Sequence, residues 1–374
     1  MLRAVRNPDL VRFMSLSFAP IDTRPDTQAD DPTDEQLVER CQNAGCPQAA
    51  NELVRRHLRR VRAVISSARA DDALTIARVE RWSSVFAESE TRWTYRVSAA
   101  RPFRDRVAWR LTANQRTLAN GELQARGEAD KPGEVTLPLR WPKVKDGTAL
   151  AAQLSVSVGE VRHEQTVWIL PRDPFVDRRE WLLSLKLSVF DPPGDTLKVL
   201  KDSDVPHEQL RSREALDDVT EGIVIVGEGV SLKKHEGLID DLRSLAGRGV
   251  PVLCLASADG EFSFPGDKPL AVSVQMRRAD VIRELDKRLD TAWWPTGASQ
   301  LRGLRVSSAD DDVVMTISDD AKAWPWVESE YETGTGPLRP RFVWCGFGIV
   351  TAWDDGPTPR YLFAKLLERL SANP

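Results

Sequence analysis

Apolar residues first settle into a regular spacing at Leu37, Val38 and Cys41, then at Ala50, Leu53, Val54, Leu58, Val61 and Ile65. Intervals of three and four residues predict two helices, and Gly45, Cys46 and Pro47 break the pattern between them. The expected element is an α-hairpin over residues 33–70. Ahead of it, Pro20, Pro25 and Pro32 lie among Asp, Thr and Gln. Such a stretch cannot bury enough apolar surface to order itself, so residues 1–32 are expected to form a disordered leader.

The period changes to two over residues 78–172. Trp93, Tyr95 and Val97 alternate with polar residues, as do Val107, Trp109 and Leu111, and Asn, Gly, Asp and Pro turns separate the runs that follow. These runs are Leu118 to Leu123, Val135 to Leu139, Leu150 to Val158 and Val167 to Leu170. Six or seven short strands at this spacing predict an immunoglobulin-like β-sandwich. Over 178–372 strands and helices then alternate, which predicts a parallel sheet flanked by helices. Leu183, Leu185, Leu187 and Val189 give a first strand closed by Asp191, Pro192, Pro193 and Gly194. Gly222 to Val226, Val250 to Leu255, Val313 to Ile317 and Phe342 to Val350 give others, with helices through Leu238, Leu242 and Leu245, through Val281 to Leu289, and from Tyr361 to Leu370. The fold class is thus multidomain α+β: a short hairpin, a sandwich and an α/β domain.

Composition adds limits. A net charge of −4 in 374 residues argues against an extensive nucleic-acid surface, leaving Arg55, Arg56, Arg59, Arg60 and Arg62 as the densest basic stretch. No apolar run reaches the length of a membrane span, and the N-terminus carries Arg3, Arg6, Asp9 and Arg12, so no membrane partner is expected. Cys41, Cys46, Cys254 and Cys345 share no repeated spacing, and the last two lie in apolar runs. A reducing, cytoplasmic setting is expected. Cys41, Cys46 and His57 lack a fourth ligand, so no metal and no cofactor is expected.

In open α/β sheets ligands bind beyond the carboxyl ends of the strands. The loops holding Gly227, Glu228, Gly229 and Ser231, then Ser257 and Asp259, and then Trp353 and Asp354 are therefore the candidate ligand-binding residues. Their glycines offer backbone N–H groups, Ser231 could cap a helix at 231–234, and the carboxylates suit a polyol more than a phosphate. Trp293, Trp294, Trp324, Trp326 and Trp353 fall near loops, where indoles can stack on sugar rings.

Strand Ile223 to Val226, its glycine loop, a helix and Gly249-Val250-Pro251-Val252-Leu253 resemble class I glutamine-amidotransferase-like, flavodoxin-like domains over about residues 180–370. That resemblance implies a nucleophilic cysteine in an elbow after the Pro-Val-Leu strand, with a late histidine and acid. Here Cys254 is still within the strand and the last histidine is His235, so no base is available and no catalytic residue is assigned. A sandwich ahead of such a domain is similar to accessory regions of bacterial β-galactosidase-type proteins. Asp34-Glu35-Gln36-Leu37-Val38, Gly45 and Leu53-Val54-Arg55-Arg56-His57 resemble the opening helices of extracytoplasmic-function sigma factors, which implies RNA polymerase as a docking partner. The expected function is a non-catalytic binding or interaction protein with a small carbohydrate or a protein as partner. The alternatives are a transcription-associated protein docking through residues 33–67 and a hydrolase with an unrecognised site.

Overall fold

The computed structural model describes residues 74–80, 83–129, 131–264, 271–291, 303–309, 312–318, 324–331 and 340–371. Met1–Asp71 separates from Asp72–Pro374 as a unit of its own. The leader, the hairpin, Cys41, Cys46 and His57 fall in the first unit and lie outside the described residues, as do Trp293 and Trp294. The second unit is mixed α/β, built mostly of strands, with five α-helices among the described residues.

Its first part contains β1 (Thr75–Arg78), β2 (Ser84–Phe86), β3 (Glu90–Ser98), β4 (Phe103–Ala113), β5 (Arg116–Gly127), β6 (Gly133–Arg140), β7 (Leu150–Val158) and β8 (Val161–Leu170). They form a three-stranded sheet, β1-β3-β6, and a five-stranded sheet, β2-β8-β7-β4-β5. The period-two pattern decides which face is inward: Trp93, Tyr95 and Val97 are buried together, and Val107, Leu111, Leu137 and Leu154 join them in one core. Trp141 closes this core, its indole N–H donating to Thr91 Oγ1 at 2.9 Å, so a large apolar ring is buried without orphaning its polar atom.

The remainder is ordered on a seven-stranded sheet, β10-β9-β11-β12-β18-β17-β14. Strands β9 (Leu187–Phe190), β10 (Glu208–Leu210), β11 (Ile223–Val226), β12 (Val252–Cys254) and β18 (Pro340–Cys345) run parallel. β17 (Trp326–Tyr331) and β14 (Ala271–Arg277) extend it antiparallel. β9, β11 and β12 are buried along their whole length, as expected for strands covered on both faces. One face is covered by α1 (Arg179–Ser184), α2 (Asp195–Asp202), α4 (Asp280–Leu285) and α5 (Pro357–Leu370) around Val189, Ile225, Leu253 and Val343. The other is covered by α3 (Leu238–Gly247), whose Leu238, Leu242 and Leu245 point inward, and by a small antiparallel sheet. That sheet, β13 (Glu261–Phe264), β16 (Asp312–Ser318) and β15 (Gly303–Ala309), contributes Phe262, Leu304 and Met315.

Three expectations are corrected. Leu183 and Leu185 do not open the first strand: α1 ends at Ser184, Leu182 and Leu185 are buried three residues apart, and Leu183 is 63% exposed. The run Val313 to Ile317 is a strand, but of the small sheet rather than the parallel one. Ser231 to Lys234 is a turn, not a helix start: Lys234 N–H donates to Ser231 Oγ at 3.2 Å, and α3 begins only at Leu238.

The two parts of this unit meet at Asp290. Its buried carboxylate accepts from Ser83 N–H at 2.7 Å, the Ser83 hydroxyl, Ser84 N–H at 3.1 Å and the Ser84 hydroxyl at 2.5 Å. Asp290 N–H donates to Thr358 Oγ1 of α5 at 3.1 Å. Arg360 adds a second tie, donating to the carbonyls of Trp353 and Arg172 while its guanidinium lies over the rings of Phe86 and Trp353.

Candidate functional site

The chain leaves β9 toward β10 on one side, then returns to place β11 on the other. The carboxyl ends of β9 and β11 are therefore where consecutive crossovers diverge, which leaves a crevice outside the sheet. A cleft of about 620 Å³ lies there. Asp195, Lys198 and Asp202 of α2 form one wall, Glu228 and Gly229 the floor, and Thr351 and Asp354 from the segment after β18 the other wall.

Each predicted residue has a definite place. Gly227 lies against the carboxylate of Asp191, and a Cβ there would collide with it. Glu228 binds across the strand ends: its carboxylate accepts from Val350 N–H at 2.7 Å, Thr351 N–H at 3.1 Å and the Thr351 hydroxyl, while its own N–H donates to Thr196 Oγ1 at 2.9 Å. Gly229 takes a φ of +80°, in the left-handed region open to glycine, and its N–H donates to Ala256 O at 2.8 Å. Asp354 is exposed and ion-paired with Arg360.

Five of the eight predicted residues, Gly227 among them, do not line this cleft. Ser231 donates to Asp259 at 2.6 Å, and that hydrogen bond is the main reason the Asp259 carboxyl is held below its usual range. Ser257 is fully buried, taking the Trp344 indole N–H at 3.3 Å with Cys254 Sγ at 3.5 Å. Trp353 is only 5% exposed, packs on Phe363 and donates to Ser203 Oγ at 3.1 Å. Its ring is core, not a sugar platform. Trp326 is likewise buried, and Trp324 lies under the guanidinium of Arg278 at 4.1 Å.

Sequence reasoning missed Asp191, Asp195, Lys198, Asp202 and Thr351. The signal for Asp191 was present, because an acidic residue followed by Pro-Pro-Gly closes a buried strand. Asp191 is 3% exposed; Oδ2 accepts Leu197 N–H at 2.9 Å in the first turn of α2, while Oδ1 has no hydrogen-bond partner among the described residues. Burial pushes its pKa up, against several backbone N–H groups that pull it down. A raised folded-state pKa means the ionised form is disfavoured by folding, so the penalty appears as pH rises past the unfolded value and is complete above the folded one. Asp191→Asn keeps the acceptor for Leu197. It should raise Tm at pH 7 and lose that advantage near pH 3, checked by calorimetry at both pH values.

Cys254 is fully buried in β12, and burial pushes its thiol up to about 12. Cys345, buried in β18, is raised further for the same reason. Neither is a nucleophile at neutral pH. Mass-spectrometric mapping after iodoacetamide at pH 8 should find both unmodified in the folded chain and both modified in denaturant. Cys254→Ala should cost only about 1–2 kcal/mol, the loss of a small buried group.

No family model matches the chain, and neither does any curated protein. Among solved structures, a β-glucosidase from Listeria innocua is similar at TM-score 0.21 and 9% identity, covering 26% of this chain and 16% of that one. A cycloisomaltooligosaccharide glucanotransferase from Paenibacillus sp. gives 0.24 and 7%, covering 63% and 32%. A sporulation control protein from Bacillus subtilis gives 0.20 and 9%, covering 30% and 55%. The chain spans about a sixth of the length of the β-glucosidases it matches. Likenesses this small say nothing further about fold or chemistry.

Proposed function

We propose that this chain is a binding protein whose ligand, a small polyhydroxylated molecule of the carbohydrate class, sits in the crevice at the carboxyl ends of β9, β11 and β18. The segment from β2 to β8 is read as an immunoglobulin-like sandwich, and the parallel sheet as a flavodoxin-like, amidotransferase-like domain. Supporting the second reading, the five parallel strands stand in the order second, first, third, fourth, fifth along the chain. The observation that carries the functional reading is the convergence of Asp195, Asp202, Glu228, Thr351 and Asp354 on that one cleft. Carboxylates and a hydroxyl accept and share hydrogen bonds from a polyol. With Lys198 the one cation among the lining residues, the same cleft repels phosphate. The buried states of Cys254 and Ser257 support binding rather than acyl transfer, since this thiol and this hydroxyl at the end of β12 face the core.

Saturation-transfer NMR against a panel of mono- and oligosaccharides tests this. At least one sugar should receive saturation from the wild type, and Asp195→Ala/Asp202→Ala should weaken it roughly tenfold, about 1.4 kcal/mol. Both positions are exposed on α2, so the fold is kept. Binding unchanged in this variant, or transfer to no sugar, removes the proposal. Trp353→Ala is unsuitable because it empties a core position.

A further inference from the structure

The outer face of the five-stranded sheet carries a charge pattern that packing does not explain. On β4, the outward residues are Arg104, Arg106, Ala108 and Arg110, about 7 Å apart where consecutive. On β5, Arg126 stands directly opposite Arg104. Like charges paired across strands destabilise a sheet, so the arrangement is retained at a cost to the fold. Arg106 is neutralised by Glu122 at 3.1 Å, and Arg162 on β8 by Glu164 at 2.7 Å. Arg104, Arg110 and Arg126 have no acidic partner among the described residues and are exposed, on a chain whose net charge is −4.

Beside Arg110 and Arg162 the surface dips into a trough of about 510 Å³ lined by Ala108, Glu122, Ser155 and Ser157, while Arg104 and Arg126 lie further along β4 and β5. Asn120 lies beside Arg110 as its cross-strand partner, and Arg162 Nε donates to Ser155 Oγ at 2.8 Å. The trough is lined by guanidinium, amide and hydroxyl groups and the Glu122 carboxylate, and its one aromatic residue, Trp109, packs against the core on the inward face of β4. Single-stranded nucleic acid takes stacking platforms, whereas sugar hydroxyls and ring carboxylates or sulfates need the groups present here.

We infer that this sheet face binds an anionic polysaccharide, its carboxylate or sulfate groups on Arg104, Arg126 and Arg110 and its hydroxyls in the Ser155–Ser157 trough. This is a second site, independent of the strand-end crevice. The probes are heparin, polygalacturonate, neutral dextran and poly(U), titrated against the full chain at low and physiological salt. Heparin or polygalacturonate should bind with an affinity that falls as salt rises, dextran should not bind, and poly(U) should bind more weakly than either. Arg104→Glu/Arg110→Glu should weaken binding about tenfold at low salt. Arg126→Glu separates function from structure: it turns the like-charged pair with Arg104 into an opposite one, so it should melt no lower than wild type while binding less. Retention that survives the reversals would originate elsewhere, such as the stretch Arg55 to Arg62, and overturns the proposal. Tighter binding of poly(U), or binding of dextran equal to that of heparin, overturns it as well.

Discussion

Replacing Asp290 by Ala is expected to be the most damaging single change in residues 74–371, lowering stability by about 3–5 kcal/mol. Its carboxylate is the common acceptor for two backbone N–H groups and two hydroxyls, from Ser83 and Ser84, at a buried junction between β2 and the turn that follows α4. Removing it leaves all four donors without their acceptor, and Ser84 keeps only a 3.3 Å contact with Thr358 Oγ1. The usual net value of a hydrogen bond understates this, because buried donors lose water as well as partner. Asp290→Asn should be nearly as harmful, since its amide NH₂ must face donors on one side. Calorimetry reads the loss, and limited proteolysis should cut the 171–178 segment faster in both variants. A Tm within a degree or two of wild type would mean that water replaces the carboxylate freely and that the junction is loose.

The second large effect lies in the sheet itself. Glu328 of β17 is 3% exposed, and accepts from the Trp326 indole N–H at 2.5 Å and from Arg369 of α5 at 3.0 and 2.7 Å. Arg369→Met leaves a buried carboxylate with one neutral donor. Because Arg369 itself is about a third exposed, the full penalty for orphaning a buried ion is reduced, to roughly 2–4 kcal/mol. Restoring neutrality in Arg369→Met/Glu328→Gln should recover most of the loss, since the glutamine oxygen still takes the indole proton. Chemical denaturation of the two singles and the double gives the coupling directly. Additive losses would show that the ion pair is not what holds β17 to α5.

Both networks were invisible in the sequence, for a physical reason: Asp290 and Ser83 are 207 positions apart, and local pattern carries no information about such pairs. What the pattern did carry was burial. The alternation at Trp93, Tyr95 and Val97 and the spacing of Leu238, Leu242 and Leu245 each fixed an inward face, and both faces are buried as read. Leu183 and Leu185 failed because Leu183, Leu185, Leu187 and Val189, at every second position, satisfy a strand template while Leu182 and Leu185 also satisfy a helical one. The end of α1 settles the choice through Leu185 N–H donating to Leu182 O. The small sheet went unread because β13, β15 and β16 are short strands inserted between β12 and β18, indistinguishable by period from members of the main sheet.

The candidate site was legible in position more than in detail. Strand-end topology brought Glu228, Gly229 and Asp354 to the cleft, but polarity alone could not separate them from Ser257 and Trp353, whose polar atoms are consumed inside the core. Asp195, Lys198 and Asp202 were passed over because they read as the solvated side of a short helix; only the closeness of α2 to the segment after β18 turns that side into a wall.

The claim that the strand-end crevice is where this chain binds its ligand is tested most directly by hydrogen–deuterium exchange of the full chain with and without the tightest sugar found in the NMR panel. Protection confined to peptides covering 195–202, 227–230 and 350–355 is the predicted result; protection confined to other segments, with these three unchanged, would contradict it.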